Sequence, residues 1–158
     1  EENLIIPDNI RAISACVFYE CNTLKSVKLP DGISEIFAGT FYSCTNLETV
    51  IMPDSLIKIR LSAFEKCTSL KNVIFGRNLH NIHGAAFAGC TSLKELTIPD
   101  TVRVIEQHAF ADCTSLEKVT LSENTFISRR IFHGCEKIHI YSSQTGNEIT
   151  DWYNGITY

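Results

Sequence analysis

No stretch of this sequence approaches the roughly 20 consecutive apolar residues that a membrane-crossing helix requires, so no direct membrane insertion is expected of the segment. Basic residues are scarce and scattered. Fourteen Lys and Arg stand against 18 Asp and Glu, giving a net charge of −4, and the only adjacent basic pair is Arg129-Arg130. A phosphate-binding face needs clustered cations, so nucleic acid is excluded as a partner class. Gly-x-Ser-x-Gly, His-Glu-x-x-His and phosphate-cradling glycine loops are all missing, which removes the usual signals for hydrolase, metalloprotease and nucleotide chemistry. There is no Cys-x-x-Cys pair of the kind that holds zinc, and no Asn-x-Ser/Thr acceptor for N-glycosylation. Within this segment no secretory-leader or lipidation pattern occurs.

What is present is one pattern repeated. Cys21, Cys44, Cys67, Cys90 and Cys113 lie 23 residues apart, and Cys135 follows after 22. Leu24, Leu47, Leu70, Leu93 and Leu116 keep the interval, as do Phe18, Phe41, Phe64, Phe87 and Phe110, with Phe132 closing the series one residue early. The four prolines, Pro7, Pro30, Pro53 and Pro99, share one repeat position, and Gly76 fills the missing slot. A fixed period of this length is the signature of a solenoid, whose repeats pack only on their neighbours and cannot bury enough apolar surface alone.

Within a unit, best seen from Leu93 through Ser115, the alternation at Val27/Leu29 and its copies Val50/Met52, Val73/Phe75, Leu96/Ile98 and Val119/Leu121 predicts a half-buried strand. Proline ends it, since it cannot donate to a ladder. The Pro-Asp pairs preset a turn whose carboxylate can accept nearby backbone N–H groups. A second short extended piece buries Ile33 and Ile36 or their counterparts, although its three-residue spacing is not that of a pure strand. The small residue before each phenylalanine (Thr40, Ala63, Ala86, Ala109) allows a tight turn or one helical turn that tucks the ring inward.

The unit resembles the BspA-like class of leucine-rich repeats, with its Leu-x-x-Val-x-Ile/Leu-Pro strand followed by Ile-x-x-x-Ala-Phe-x-x-Cys-x-x-Leu. The match covers about residues 4–140. The resemblance implies a cell-surface or secreted protein of bacteria or protozoa that adheres to other proteins or cells, in some cases to host or matrix components. It brings no catalytic residues and no cofactor. The sequence departs from the pattern at Gly76-Arg77, where Pro-Asp is expected, and in the shortened sixth unit around Ile127–Ile140; both are expected to bend the rod locally. The expected fold is therefore a right-handed leucine-rich-repeat solenoid, mostly β, with short turns or helical turns on the outer side. It has six to seven stacked repeats over residues 1–140 and a C-terminal cap over 141–158 built on Tyr141, Trp152, Tyr153 and Tyr158. Leu4 and Ile6 already occupy strand positions, leaving no room for an N-terminal cap, so the chain is expected to be a piece of a longer protein. The extracellular or cell-surface location rests on the resemblance alone.

Six of the seven cysteines share one repeat position, where the residue behaves as a small buried apolar group with a weak donor. Strand spacing near 4.8 Å would also permit disulfides between neighbours, but a ladder of free thiols is the favoured reading. Cys16, outside the ladder, is the thiol expected to react with a small probe. The acidic column Asp8, Asp31, Asp54 and Asp100 with Glu123 raises calcium, against the simpler reading of local turn capping, and Arg77 interrupts it. His80, His83 and Glu106 could meet across adjacent repeats as a metal site, although solvated polar faces explain them more simply. The expectation is no metal, no cofactor and no enzymatic activity.

Strands laid side by side make rows. The outward residue between the two buried strand positions is Ile5, Lys28, Ile51, Ile74, Thr97 and Thr120, a row unusually apolar at Ile51 and Ile74. Beside it runs Ser26, Thr49, Asn72, Glu95 and Lys118. An apolar patch rimmed by polar groups often marks an interface, while β-branched residues also simply favour a sheet surface. The candidate protein-binding face is Lys28, Ile51, Ile74, Thr97 and Thr120 with Thr49, Asn72 and Glu95. The function expected is protein–protein interaction or adhesion through that face; the alternative is a structural spacer without a ligand of its own. An ice-binding face is disfavoured, because regular Thr-x-Thr columns are absent.

Overall fold

The computed structural model describes residues 2–149, which wind into a β-solenoid. Each of the five central coils lays down two strands. The longer ones are β1 (Asn3–Ile5), β2 (Ser26–Lys28), β4 (Thr49–Ile51), β6 (Asn72–Ile74), β8 (Glu95–Thr97), β10 (Lys118–Leu121) and β12 (His139–Ser142). The two-residue ones are β3 (Glu35–Ile36), β5 (Lys58–Ile59), β7 (Asn81–Ile82), β9 (Val104–Ile105) and β11 (Phe126–Ile127). All strand pairs are parallel and join residues one repeat apart, Val27 with Val50 and Ile36 with Ile59 among them. That register puts like on like: Val27, Val50, Leu96 and Val119 are buried, as the alternation predicts, and Ile36, Ile59, Ile82 and Ile105 are buried opposite them.

The segment before each cysteine is a turn and not a helix, which resolves the choice left open by the sequence. Its amides bond to the next coil: Phe41 N–H to the Ala63 carbonyl at 2.8 Å, Phe64 to Ala86 at 2.7 Å and Phe87 to Ala109 at 2.8 Å. Two residues per turn, five and one before the cysteine, take left-handed backbone, as at Ser62 (φ 55°) and Lys66 (φ 61°) or Ala85 (φ 53°) and Gly89 (φ 73°). A left-handed residue reverses the chain after a single turn, so no helix can propagate. These turns make a third hydrogen-bonded column beside the two strand columns. Inside it, Phe41, Phe64, Phe87 and Phe110 are fully buried and stack at centroid separations of 5.1, 5.1 and 5.3 Å.

At the far end the chain reverses after β12. Ser142 N–H donates to Asn147 at 2.9 Å and Ile149 N–H to Ile140 at 2.7 Å, so residues 147–149 run antiparallel along that strand and fill its outer edge. Tyr141 receives the Lys118 ammonium over its ring at 5.5 Å. The other aromatics assigned to a cap, Trp152, Tyr153 and Tyr158, lie outside the described residues.

Candidate protein-binding face

The longer strands point alternate side chains inward and outward, and their register aligns the outward ones as the sequence spacing requires. Ile5, Lys28, Ile51 and Ile74 form one continuous row, and Thr97, Thr120 and Tyr141 form another. Ile5, Ile51 and Ile74 are 73%, 37% and 52% exposed. Lys28, Thr97, Asn72 and Glu95 are exposed, while Thr49 and Thr120 are half-buried. The polar row is tied coil to coil by Ser26 Oγ on Asn3 (2.7 Å) and by Asn72 Nδ2 on Thr49 Oγ1 (3.2 Å). Lys71 pairs with Glu48 at 3.2 Å beside it. The ribbon expected from the sequence is thus present, but it is divided. β1, β2, β4 and β6 make one sheet and β8, β10 and β12 another, with no pairing between β6 and β8.

Between them lies a groove of about 910 Å³, lined by Thr49, Asn72, Val73, Ile74, Glu95, Thr97 and their neighbours. Sequence reasoning missed it, although the local departure from the repeat that accompanies it was visible. Phe75 stands where other coils carry Leu29, Met52, Ile98 or Leu121, and its ring meets Phe87 edge-on at 5.9 Å. Gly76 stands in the proline position, so close to the preceding coil that an added Cβ would fall 1.9 Å from the Pro53 carbonyl oxygen. Both departures sit at the end of β6, where the pairing with β8 is missing. Val73 and Phe75 are half-buried, where Val50, Met52, Leu96 and Ile98 are buried.

Arg77, which replaces the expected aspartate, donates from Nε to Asp54 Oδ2 at 2.8 Å, and its own amide bonds Asp54 Oδ1 at 2.9 Å. Those hydrogen bonds hold the Asp54 carboxyl below the usual range. Asp8 likewise accepts the Asp31 amide at 3.2 Å. Capping in this column therefore reaches across to the next coil's turn, rather than staying within one turn. His83 pairs through Nδ1 with Glu106 at 3.0 Å, and among the described residues no three His, Cys, Asp or Glu side chains gather to hold a metal ion. The seven thiols are free. Five of the six ladder thiols find an acceptor that the spacing did not reveal. Cys44, Cys67, Cys90, Cys113 and Cys135 donate to the carbonyls of Phe18, Phe41, Phe64, Phe87 and Phe110, at 3.0 to 3.3 Å.

Comparison with known proteins places this geometry. The family model for the BspA type leucine rich repeat region matches six times, over residues 2–113 and 80–153. The chain belongs to this BspA-type leucine-rich-repeat family. Solved members resemble it closely. A Treponema pallidum leucine-rich repeat protein superposes with a TM-score of 0.82 at 30% identity, over 90% of this chain and 71% of that one. A leucine-rich repeat protein of Bacteroides ovatus gives 0.78 at 32% identity, over 88% and 39%. A leucine rich cell surface protein of Faecalibacterium prausnitzii gives 0.75 at 25% identity, over 99% and 50%. The BspA-type chain thus spans half or less of the last two relatives' length. None of the curated proteins matches it.

Proposed function

We propose that this BspA-type chain is a protein-binding module of a bacterial cell-surface or secreted protein, engaging a host, matrix or other surface protein through its longer-strand face. The observation that carries the reading is the exposed apolar pair Ile51 and Ile74, held side by side by the β4–β6 register and rimmed by Thr49, Asn72 and Glu95. Apolar side chains at the centre of a polar rim are what protein interfaces desolvate. A bacterial relative whose name describes a cell surface protein supports the location. No described helix is long and apolar enough to cross a membrane. The family is a repeat scaffold, and the proposal gives the chain no catalytic role. Within the module, residues to about 140 act as the stacked repeats, and 147–149 cover the outer edge of β12.

The test is a binding screen of the folded chain against immobilised extracellular-matrix and cell-surface proteins, repeated with Ile51→Lys/Ile74→Lys. Both substitutions point to solvent, so circular dichroism and melting should stay close to the parent. Capture by the parent and loss of at least about tenfold in affinity, roughly 1.4 kcal/mol, in the variant is the expected result. Undiminished capture by the variant would move the interface elsewhere, and no capture at all by the parent would favour a spacer that only sets distance between other domains.

A further inference from the structure

The groove between β6 and β8 is bounded by backbone as well as by side chains. On one side of it, Lys71 and Asn72 N–H donate to the Glu48 carbonyl (3.0 and 3.0 Å) and Met52 N–H donates to Ile74 (2.9 Å). On the other, Glu117 and Lys118 N–H donate to the Lys94 carbonyl (2.9 and 3.2 Å) and Ile98 N–H donates to Thr120 (2.8 Å). The equivalent bonds across the gap would run from Lys94 and Glu95 N–H to the Lys71 carbonyl, and from Phe75 N–H to the Thr97 carbonyl. None of these five groups has a partner among the described residues. The rod nevertheless stays closed beside the opening: Val104 and Arg103 N–H reach the His80 carbonyl at 3.3 and 2.8 Å, and Gly89 N–H reaches Ala111 at 2.8 Å. The opening is therefore a slot in one column of an intact solenoid.

From this we infer that the slot receives an extended segment of another polypeptide, which adds itself as a strand between β6 and β8. Three properties of the slot select that occupant. Its two walls present donors and acceptors at the regular spacing of parallel strands, and only an extended backbone offers N–H and C=O groups alternately to both sides. Its walls stand farther apart than those of a paired ladder, since most Cα pairs between β6 and β8 lie more than 8 Å apart, and an inserted strand would set its neighbours about twice the 4.8 Å spacing apart. Its floor is apolar at Val73, which is half-buried, and at Leu96, so every second side chain of the entering strand meets hydrocarbon, which calls for an aliphatic or β-branched residue there. The inference rests on the strand face being a protein-binding surface and names the form the partner takes on it.

A synthetic probe is available in the chain's own sequence. The peptide Leu47–Pro53, acetylated and amidated, carries the strand that already pairs in parallel with β6. Amide hydrogen exchange of the whole chain is followed without and with that peptide. In the free protein, the amides of Phe75, Lys94 and Glu95 should exchange fast while those of Asn72, Ile98 and Lys118 are protected. At a peptide concentration ten times its Kd the three should slow about tenfold. The same peptide N-methylated at Thr49 and Val50 should have no effect, because it loses one donor toward each wall. Phe75→Leu, which restores the aliphatic residue of the other coils, should protect the three amides without peptide and bind the peptide at least about tenfold more weakly. Protection of these amides in the free parent, no slowing with the peptide, or equal slowing by the N-methylated form would each overturn the inference. Protection that grows with protein concentration alone would do the same by making a second copy of the chain the occupant. Loss of partner capture in Ile51→Lys/Ile74→Lys while the three amides stay unprotected in the partner complex would leave the face as an interface and overturn insertion only.

Discussion

At the scale of single residues, the repeat period converts each conserved chemical choice into a column, and the column decides what that residue does. A lone cysteine would invite a disulfide or a metal. Here the thiol sits at 0% exposure in Cys44, Cys67, Cys90 and Cys113, with its proton on a phenylalanine carbonyl of the coil before. Burial pushes the Cys90 thiol far above its usual range, which leaves almost no thiolate, the form that attacks. Cys16 is exposed and meets only the Ala38 carbonyl, at 3.6 Å. A small alkylating reagent should accordingly modify Cys16 in the native chain within minutes and leave Cys67, Cys90 and Cys113 intact until denaturant is added, as read by mass spectrometry of the labelled peptides. Equal rates at Cys16 and Cys90 would mean that the ladder opens far more readily than its packing allows.

At the scale of the element, the turns show where local preference yields to stacking. An L side chain in left-handed backbone costs about 1–2 kcal/mol, yet Ser62, Lys66, Ala85, His108 and Asp112 all adopt it. All but His108 are held by a bond to the next coil, such as Lys66 N–H on the Ala88 carbonyl at 2.7 Å and Ala85 N–H on Gln107 at 3.2 Å. Gly89 gives a clean measure of that cost, because an added Cβ would meet Lys66 atoms at 3.6 Å and beyond, ordinary contact, leaving the backbone angle as the only penalty. Gly89→Ala should lower stability by about 1 kcal/mol, and Ala85→Gly should raise it by roughly 0.5–1 kcal/mol, in chemical denaturation. These turns also mark the limit of what the sequence reveals. The strand positions at Val27, Val50 and Val119 and the buried Phe and Cys columns follow from composition at a fixed interval, so they are legible. The left-handed sites are not, because Lys66 and Asp112 carry no glycine signal and their geometry is imposed by the neighbouring coil. The opening beside β6 is equally hidden: Asn72-Val73-Ile74 reads like any other strand, and the departures that accompany it, Phe75 and Gly76, lie beyond the strand's end. The Ile51/Ile74 patch was legible as a row but not as the lip of a groove.

At the scale of the molecule, a solenoid is as cooperative as its weakest interface, since each repeat touches only its neighbours. Two strand columns and the turn column bind most coils together, but the interface at β6 and β8 lacks one of them. What remains there is the short-strand pairing of β7 with β9, the turn ladder and the aromatic stack, in which Phe87 lies 5.1 Å from Phe64 and 5.3 Å from Phe110 and also receives the edge of Phe75. Phe87 is therefore the residue on which coupling of the two halves depends most. Replacing a buried phenylalanine by alanine costs about 3–5 kcal/mol, and at Phe64 that loss is spread over two interfaces whose three columns are all closed. Phe64→Ala should shift a single unfolding transition to lower denaturant. Phe87→Ala should instead split it, so that exchange-protected peptides from residues 26–75 and from residues 95–142 lose protection at different denaturant concentrations. Hydrogen exchange across a denaturant series distinguishes the two. Coincident loss in both variants would show that the open column carries no energetic boundary, and that the short strands and turns alone transmit stability along the rod.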